Sequence, residues 1–357
     1  TRFTPPGARR HGFEHWAVYN CSHDYFRPEK WYRDDPEPVI IEGYEPEVQM
    51  DEALDFIAAR DDRPFCLVLS WGPPHDPYPM VPERYRQRYD PERLTLRPNV
   101  EPLLPASHPL ARGLEPRRTL ADYYAAITAL DDQFGRLLDA LATSGLDENT
   151  IVIFTSDHGD QLWSHGTMKK QQPFEESIRV PLICRWPGRV PAGRRTDALF
   201  STVDLAPTLC GLAGVTPSGG LQGMDRSALL LGHDSSGAEA ILLMDLIAAD
   251  ESRAQELPEW RGLRTARYTY AQRRDGAPWL LYDNDVDPWQ QTNLVETSAE
   301  TRDQLASMLA DRLAEIGDYG RSGEDYVRTL GLVTLWNARQ RELHPGDPGL
   351  LLEESPS

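Results

Sequence analysis

Residues 151–159 read IVIFTSDHG, and this stretch is the strongest indication of the fold class. Its first four residues are apolar, which predicts a short buried strand. Asp157 and His158 follow at the carboxyl end of that strand, the edge at which open α/β sheets bind their ligands. Carboxylates and imidazoles are both metal-ligand types. The stretch therefore predicts an α/β fold and makes residues 157 and 158 candidate metal ligands.

Strands and helices alternate around this stretch. Hydrophobic spacing predicts helices over residues 51–60, 120–141 and 203–213, and strands over residues 65–69, 180–186 and 241–244. Thr119 and Asp122 are the predicted capping pair of the second helix. Alternation of this kind is typical of a mostly parallel central sheet with helices on both faces.

From Trp260 onward the hydrophobic period changes to two. Strands predicted over residues 263–272 and 279–282 flank Arg274-Asp275-Gly276, a hairpin signal, and a helix is predicted over residues 298–316. These elements predict a small antiparallel subdomain. The predicted division is an α/β domain over residues 1–245, the antiparallel subdomain over 246–320 and an irregular tail over 321–357.

Residues 76–119 contain nine prolines, which interrupt every regular pattern. Long irregular segments of this kind form binding loops or lids in many proteins, although an ordinary surface loop fits the pattern equally well. The sequence alone leaves both interpretations open.

Charge and composition restrict the partners and the location. The chain has 357 residues and a net charge of −19, which argues against nucleic acid or an anionic membrane as a partner. No apolar run approaches the roughly 20 residues that a membrane span needs. Cys66 and Cys184 lie in apolar runs, which fits reduced, buried thiols and predicts a cytoplasmic protein.

Three further side chains are candidates for a functional site. Lys170 is one of only three lysines beside 34 arginines, which suggests a task for a compact ammonium. His75 follows the predicted strand over residues 65–69 and a Gly-Pro-Pro turn, so it is expected at the same sheet edge as the Asp-His pair. His165 is a candidate for orienting the loop that carries the lysine.

Each candidate also has an ordinary structural interpretation. Asp157 could simply cap the next helix, and its neighbour could be solvated. His75 could be a surface loop residue, and Lys170 could be a solvated charge. Spacing alone does not separate Lys170 from Lys169.

Three segments carry a resemblance to a known family. Residues 156–182 read SDHGDQLWSHGTMKKQQPFEESIRVPL, residues 70–77 read SWGPPHDP, and residues 264–270 read RTARYTY. Together they closely resemble the sulfatases of the alkaline phosphatase superfamily. The resemblance extends from about Gly12 to Leu294 and implies an alkaline-phosphatase-like α/β fold.

The resemblance implies a role for each candidate. Asp157 and His158 match two ligands of a divalent cation, with Ca²⁺ as the first choice and Mn²⁺ or Mg²⁺ as alternatives. Lys170 matches the lysine that binds the sulfate oxygens, and His75 matches the histidine near the leaving-group oxygen. The implied substrate is a small-molecule or saccharide sulfate ester.

Two family features have no match in this sequence. The family nucleophile is a Cys or Ser in the motif C/S-x-P/A-x-R, and its Cys form is oxidised to formylglycine. Cys21 lacks the proline and arginine that complete the motif, so no nucleophile is assigned, and the early Asp-Asp pair of the metal site is also unmatched. The first seven residues contain neither a methionine nor a signal-peptide pattern. We therefore expect that the sequence begins inside a longer protein and that this chain alone is inactive.

Three hypotheses about function follow. The first is a metal-dependent sulfatase. The second keeps the fold and changes the substrate to a phosphate ester or a phosphonate, because related sites differ little in their metal half. The third is a binding module without catalytic activity, which would apply if these 357 residues were the whole protein.

Overall fold

The structure is a computed structural model that describes residues 3–19, 22–26, 29–100, 114–217, 219–246, 258–343, 346 and 351–353. It divides into two compact units, Thr1–Leu96 with Gly113–Val152, and Arg97–Arg112 with Ile153–Ser357. The α/β class and a C-terminal antiparallel sheet are as predicted. None of the described helices is both long and apolar enough to span a lipid bilayer.

The described residues of the first unit form one short sheet and three α-helices. Its strands and helices are β1 (Glu29–Trp31), β2 (Val39–Ile41), α1 (Glu45–Ala59), α2 (Glu83–Arg86) and α3 (Pro116–Thr143). β1 and β2 pair in antiparallel register. Short 3₁₀ turns cover Ala8–Arg10, Pro91–Arg93 and Asp147–Asn149.

Helix α3 begins earlier than the sequence predicts. Glu115 is its N-cap, and the carboxylate accepts hydrogen bonds from the backbone N–H groups of Arg117 and Arg118 at 3.0 and 2.8 Å. Proline fits the first helical position because it needs no N–H partner there. The predicted cap residues therefore lie inside the helix, where Asp122 accepts a hydrogen bond from Arg86 Nε at 2.8 Å.

Alanines on α3 form the centre of the first unit's core. Ala125, Ala126 and Ala129 are almost completely buried, and the residues packed with them are Tyr25, Tyr44, Val81 and Tyr85. Small side chains on a helix let neighbouring segments approach closely, so the irregular chain around Val81 lies directly on the helix. This packing fixes part of the proline-rich segment that follows His75.

The predicted strand over residues 65–69 is absent from the described structure. The segment is extended, and burial alternates along it, with Phe65, Leu67 and Leu69 half-buried and Cys66 and Val68 exposed. An apolar run predicts extended backbone, but a strand also needs a neighbour for its hydrogen bonds. The prediction that Cys66 is buried is therefore wrong, while Cys184 is half-buried as a free thiol.

The second unit contains the strand that precedes Asp157 and His158, together with the four-stranded sheet. Its strands are β3 (Val152–Thr155, which begins at the end of the first unit), β4 (Leu182–Arg185), β5 (Ala240–Asp245), β6 (Trp260–Thr265), β7 (Tyr268–Arg273) and β8 (Pro278–Asp283). Its helices are α4 (Glu175–Ile178), α5 (Leu205–Ala213), α6 (Ser227–Leu230), α7 (Ala299–Ile316), α8 (Gly323–Thr329) and α9 (Val333–Leu343), and a 3₁₀ turn covers Thr202–Asp204. Of the predicted central sheet, the described residues form the pair β3 and β4.

The C-terminal sheet has the order β5-β6-β7-β8, and all its pairs are antiparallel. The predicted hairpin joins β7 and β8, where Gly276 has φ +85°, a conformation that favours glycine. The predicted strand over residues 263–272 is two strands, because Tyr268 N donates to Thr265 Oγ1 at 2.8 Å and closes a turn. β5 pairs with β6, although the predicted domain boundary at residue 245 separates them.

One row of apolar side chains crosses this sheet and packs under α7. The registers place Leu242 opposite Leu263, Leu263 opposite Tyr270, and Tyr270 opposite Leu281. Three leucines of α7, Leu305, Leu309 and Leu313, pack with this row at helical spacing. The sheet and the helix therefore bury their apolar faces against each other.

The predicted irregular tail contains two helices, α8 and α9. Ser322 caps α8 in a reciprocal capping box with Asp325, in which each side chain accepts a hydrogen bond from the other residue's N–H. The segment has a weak hydrophobic period, so the hydrophobic pattern does not predict a helix there, and the start signal at Ser322 is polar.

Candidate active site

The Asp157-His158 pair lies immediately after β3. Thr155 Oγ1 donates to Pro181 O at 3.0 Å, next to the start of β4, and Gly159 N donates to Ser177 O at 2.8 Å. A Cβ at position 159 would lie 1.9 Å from Glu176 O, so only glycine fits there. The chain around residues 176–177 thus holds the Asp-His segment from one side.

Asp157 and His158 present their side chains to each other. Asp157 Oδ2 lies 3.7 Å from His158 Nε2, and the carboxylate is 85% exposed. His158 Nδ1 lies 2.7 Å from Gly159 O. A carbonyl oxygen only accepts, so the proton of the neutral ring is on Nδ1 and the Nε2 lone pair is on the side of the carboxylate.

This arrangement fits two ligands of one divalent cation. Ligand atoms about 2.0–2.4 Å from a shared ion lie roughly 3–4 Å apart, which agrees with the observed separation. The carbonyl at Gly159 orients the imidazole as metal-bound histidines usually require. Among the described residues no group of three or more His, Cys, Asp or Glu side chains converges on a possible metal position. By itself, the described pair matches only part of the coordination sphere that a divalent cation needs.

Residues 160–171 form a tight loop that carries both lysines. Asp160 Oδ1 accepts hydrogen bonds from the backbone N–H groups of Leu162 and Lys169, both at 3.0 Å. Five residues other than glycine have left-handed backbone conformations in this loop: Leu162, Trp163, His165, Lys169 and Gln171. Such conformations are costly for ordinary residues and cluster at functional sites.

His165 connects this loop to two distant segments. Its backbone N–H donates to Asn99 O at 2.8 Å, its Nε2 lies 3.7 Å from Glu176 Oε2, and its ring stacks on Phe174 with centroids 3.8 Å apart. Asn99 Nδ2 donates to Glu176 Oε1 at 2.8 Å and to Trp289 O at 2.9 Å. Burial raises the pKa of Glu176, but hydrogen bonds from His165 and Asn99 outweigh it and hold that pKa below its ordinary value.

His75 lies in a turn of the first unit. Its backbone N–H donates to Gly72 O at 3.2 Å, and its Nδ1 lies 2.9 Å from Asp76 O and 3.1 Å from Asp76 Oδ1. The side chain is 18% exposed. As with His158, a carbonyl contact places a proton on Nδ1, so Nε2 is the atom that can exchange a proton with a ligand.

Sequence patterns indicated the main candidate residues, but they did not indicate the polar residues whose hydrogen bonds stabilise the surrounding loops. The structure brings Asp157 and His158 together, places Lys170 in the loop pinned by Asp160, and describes His75 within the other unit. Asn99 and Glu176 had no local pattern that distinguished them from other polar residues. Cys21, which the sequence left without a role, lies outside the described residues.

Comparisons with known proteins agree with these motifs. The family model described as Sulfatase matches residues 2–215, and a model described as N-sulphoglucosamine sulphohydrolase, C-terminal, matches residues 163–318. An ulvan-active sulfatase of Formosa agariphila is 36% identical over 335 residues, which cover 92% of this chain and 63% of that protein. The chain thus spans less than two thirds of the length of this relative.

Two solved structures are similar in fold. A protein crystallised in complex with its substrate D-glucosamine-2-N,6-O-disulfate has a TM-score of 0.76 and 22% identity, over 86% of this chain and 77% of that one. The phosphonate monoester hydrolase of Agrobacterium radiobacter has a TM-score of 0.66 and 26% identity, over 83% of this chain and 66% of that one.

Proposed function

Because the chain belongs to the sulfatase family, we propose that the protein containing it hydrolyses sulfate esters with the help of a divalent cation. The observation that carries the proposal is the Asp157-His158 pair, whose carboxylate and imidazole present Oδ2 and Nε2 to each other at 3.7 Å at the end of β3. Such a pair is suited to a cation that binds an anionic ester.

Each candidate residue has a defined task in this proposal. Asp157 and His158 hold the cation, which when bound neutralises charge on the sulfate oxygens. Ca²⁺ is the expected ion, with Mn²⁺ and Mg²⁺ as alternatives. The ammonium of Lys170 binds a sulfate oxygen, and the neighbouring Lys169 fixes the loop through its backbone hydrogen bond to Asp160. His75 Nε2 gives a proton to the leaving oxygen, and formylglycine as the nucleophile stays a prediction from the family resemblance.

The proposed substrate class is a sulfated small molecule or saccharide. Relatives and fold neighbours support it, since one is an ulvan-active sulfatase and another has a glucosamine disulfate as its substrate. The cytoplasmic location and the inactivity of this chain by itself stay predictions. The particular alcohol that carries the sulfate is outside the proposal.

Replacing Asp157 tests the proposed role directly. In the intact protein, Asp157→Ala should abolish cation binding and turnover of 4-nitrophenyl sulfate together, because one ligand and its charge are lost. Calorimetry with Ca²⁺, Mn²⁺ and Mg²⁺ measures binding, and a chelator should mimic the variant in the wild-type protein. Asp139→Ala, an exposed position on α3, is the matched control and should behave as wild type. Full activity of Asp157→Ala would reject the metal assignment.

A phosphonate or phosphate ester is the second candidate substrate, favoured by the similarity to the phosphonate monoester hydrolase. Comparing kcat/KM for 4-nitrophenyl sulfate and 4-nitrophenyl phenylphosphonate separates the two, because both release the same alcohol. A higher value for the phosphonate would replace the sulfatase proposal.

A further inference from the structure

His23 stacks on His75 within the first unit. The ring centroids are 4.4 Å apart and the ring planes differ by 9°, so one face of His75 is covered by a parallel imidazole. His23 is exposed, whereas the His75 side chain is only 18% exposed. No sequence pattern indicates a role for His23, which belongs to the segment from Cys21 to Tyr25 that lacks the nucleophile motif.

The segment that carries His23 is fastened to the His75 turn. Tyr25 is 2% exposed, and its hydroxyl donates to His75 O at 3.0 Å, while Tyr25 O accepts from Glu45 N at 3.0 Å. A Cβ at Gly72 would lie 2.7 Å from Tyr25 Cε1, so the glycine lets the tyrosine ring pack against the turn. The buried side chain of Tyr25, two residues from His23, therefore stabilises the position from which His23 stacks on His75.

Two contacts with Asp76 fix the tautomer of His75. Asp76 O and Asp76 Oδ1 lie within 3.1 Å of Nδ1, and both are acceptors, so they hold a proton on that atom. With a proton held on Nδ1 and His23 over one face, the second ring nitrogen, Nε2, is the atom suited to proton transfer to a substrate.

We propose that His23 is a positioning residue for His75, stacking on its imidazole so that Nε2 protonates the leaving oxygen of the ester. The inference rests on the proposed function. In this step a deprotonated hydroxyl oxygen of the nucleophile forms a bond to sulfur while the S–O bond to the alcohol breaks, the electron pair of the broken bond stays on the leaving oxygen, and that oxygen takes the proton from His75 Nε2. The imidazolium becomes neutral imidazole, and the alcohol leaves uncharged.

Leaving-group dependence tests this role. An acidic alcohol such as 4-nitrophenol departs without a proton, whereas a sugar alcohol needs one. In the intact protein, His23→Ala should lower kcat for sugar sulfates about tenfold, part of the roughly 10²–10⁴-fold that a general acid supplies. For 4-nitrophenyl sulfate the loss should be less than about twofold by the same reasoning. His23→Phe keeps a flat ring over His75 and should restore most of kcat for the sugar sulfate.

Three outcomes would overturn the inference. An equal loss of kcat for both esters in His23→Ala would show a general structural role, and an inactive His23→Phe beside an active His23→Ala would show that ring stacking is not the cause. No turnover of any sulfate ester by the wild-type protein with any of the three cations would remove the proposed function as well. His75→Ala should show the same selective loss for sugar sulfates in a stronger form, and its absence would also contradict the inference.

Discussion

Lys169 and Lys170 are adjacent in the sequence, but the loop uses the backbone of Lys169 as a structural element. Lys169 N donates to Asp160 Oδ1 at 3.0 Å, and its carbonyl accepts from Gln161 N at 2.6 Å. Its backbone is left-handed, with φ +70°. Both hydrogen bonds use backbone atoms, so they persist when the side chain is truncated. The assignment of Lys170 as the sulfate ligand stays a prediction from the family resemblance.

Alanine at each lysine separates the two roles. We expect Lys170→Ala to lower kcat/KM for a sulfate ester by about 10²–10³-fold, the usual effect of removing one group that stabilises developing charge. Lys169→Ala should lower it less than about threefold, since most surface substitutions have small effects. Steady-state kinetics on the purified intact variants gives both numbers. Equal losses, or a larger loss at Lys169, would reverse the assignment.

At the scale of secondary-structure elements, a buried ion pair joins β6 to the segment between α7 and α8. Arg261 and Asp318 have side chains 1% and 3% exposed, with Nε and Oδ2 2.9 Å apart. Tyr326 OH of α8 and Gly320 N also donate to Asp318 Oδ1, both at 3.0 Å. One carboxylate therefore ties the sheet, a turn and the following helix together.

Removing that carboxylate should destabilise the protein strongly. Asp318→Ala leaves a buried guanidinium without its charge partner, which costs about 3–5 kcal/mol of unfolding free energy. Asp303→Ala is the matched control, because Asp303 pairs with Arg302 at 2.8 Å but is 67% exposed, and such pairs contribute about 0–1 kcal/mol. Urea unfolding followed by tryptophan fluorescence measures both, with Trp260 in β6 as a buried reporter. Similar midpoints for the two variants would contradict the argument.

Acid should weaken the same contact. Burial acts to raise the pKa of Asp318, but hydrogen bonds from Arg261, Gly320 and Tyr326 outweigh it, so the folded-state pKa is below its ordinary value of 3.8. A carboxyl group with a depressed pKa stabilises the fold above its unfolded-state pKa and loses that contribution as pH falls through the folded-state value. The stability difference between wild type and Asp318→Asn should therefore be constant near neutral pH and shrink below about pH 4. A difference that grows in acid would have the wrong sign.

The sequence predicts helices and strands that have a strong hydrophobic period. It predicts less well the elements that need a hydrogen-bonding neighbour strand or that begin at a polar capping residue. The stripe of α3 and the row under α7 follow the periods expected of packed helices and strands. Residues 65–69 have the right composition for a strand, but composition does not specify a hydrogen-bonding neighbour. The start of α8 at Ser322 is a polar signal that the hydrophobic pattern does not show.

The residues of the candidate site also differ in how well the sequence predicts that they lie together. Asp157 and His158 are neighbours in the sequence, so their proximity follows from covalent geometry once a strand precedes them. The Asn99–His165–Glu176 network joins residues 66 and 77 positions apart, and no local pattern indicates it. The stack of His23 on His75 likewise joins two loops, and only the fold of the first unit brings them together.

At the scale of the whole molecule, the chain has 56 acidic and 37 basic side chains. A net charge of −19 creates a negative field that repels a polyanion before it reaches the site. The exposed carboxylate of Asp157 contributes to that field until a cation binds. Salt shortens the range of the repulsion, since the Debye length is about 30 Å at 0.01 M and about 8 Å at 0.15 M.

This field should affect substrates according to their charge. Raising NaCl from about 0.01 to 0.15 M should lower KM for a polysulfated oligosaccharide several-fold, because screening removes repulsion over distances longer than about 8 Å. KM for a monosulfated sugar with the same scissile ester should change much less, and kcat for both should be unaffected, since chemistry follows binding. Chloride is the suitable anion because added sulfate would compete for the site. A rise of KM with salt for the oligosaccharide would mean that basic groups near the site outweigh the acidic surface, so that the local field attracts the substrate despite the net charge.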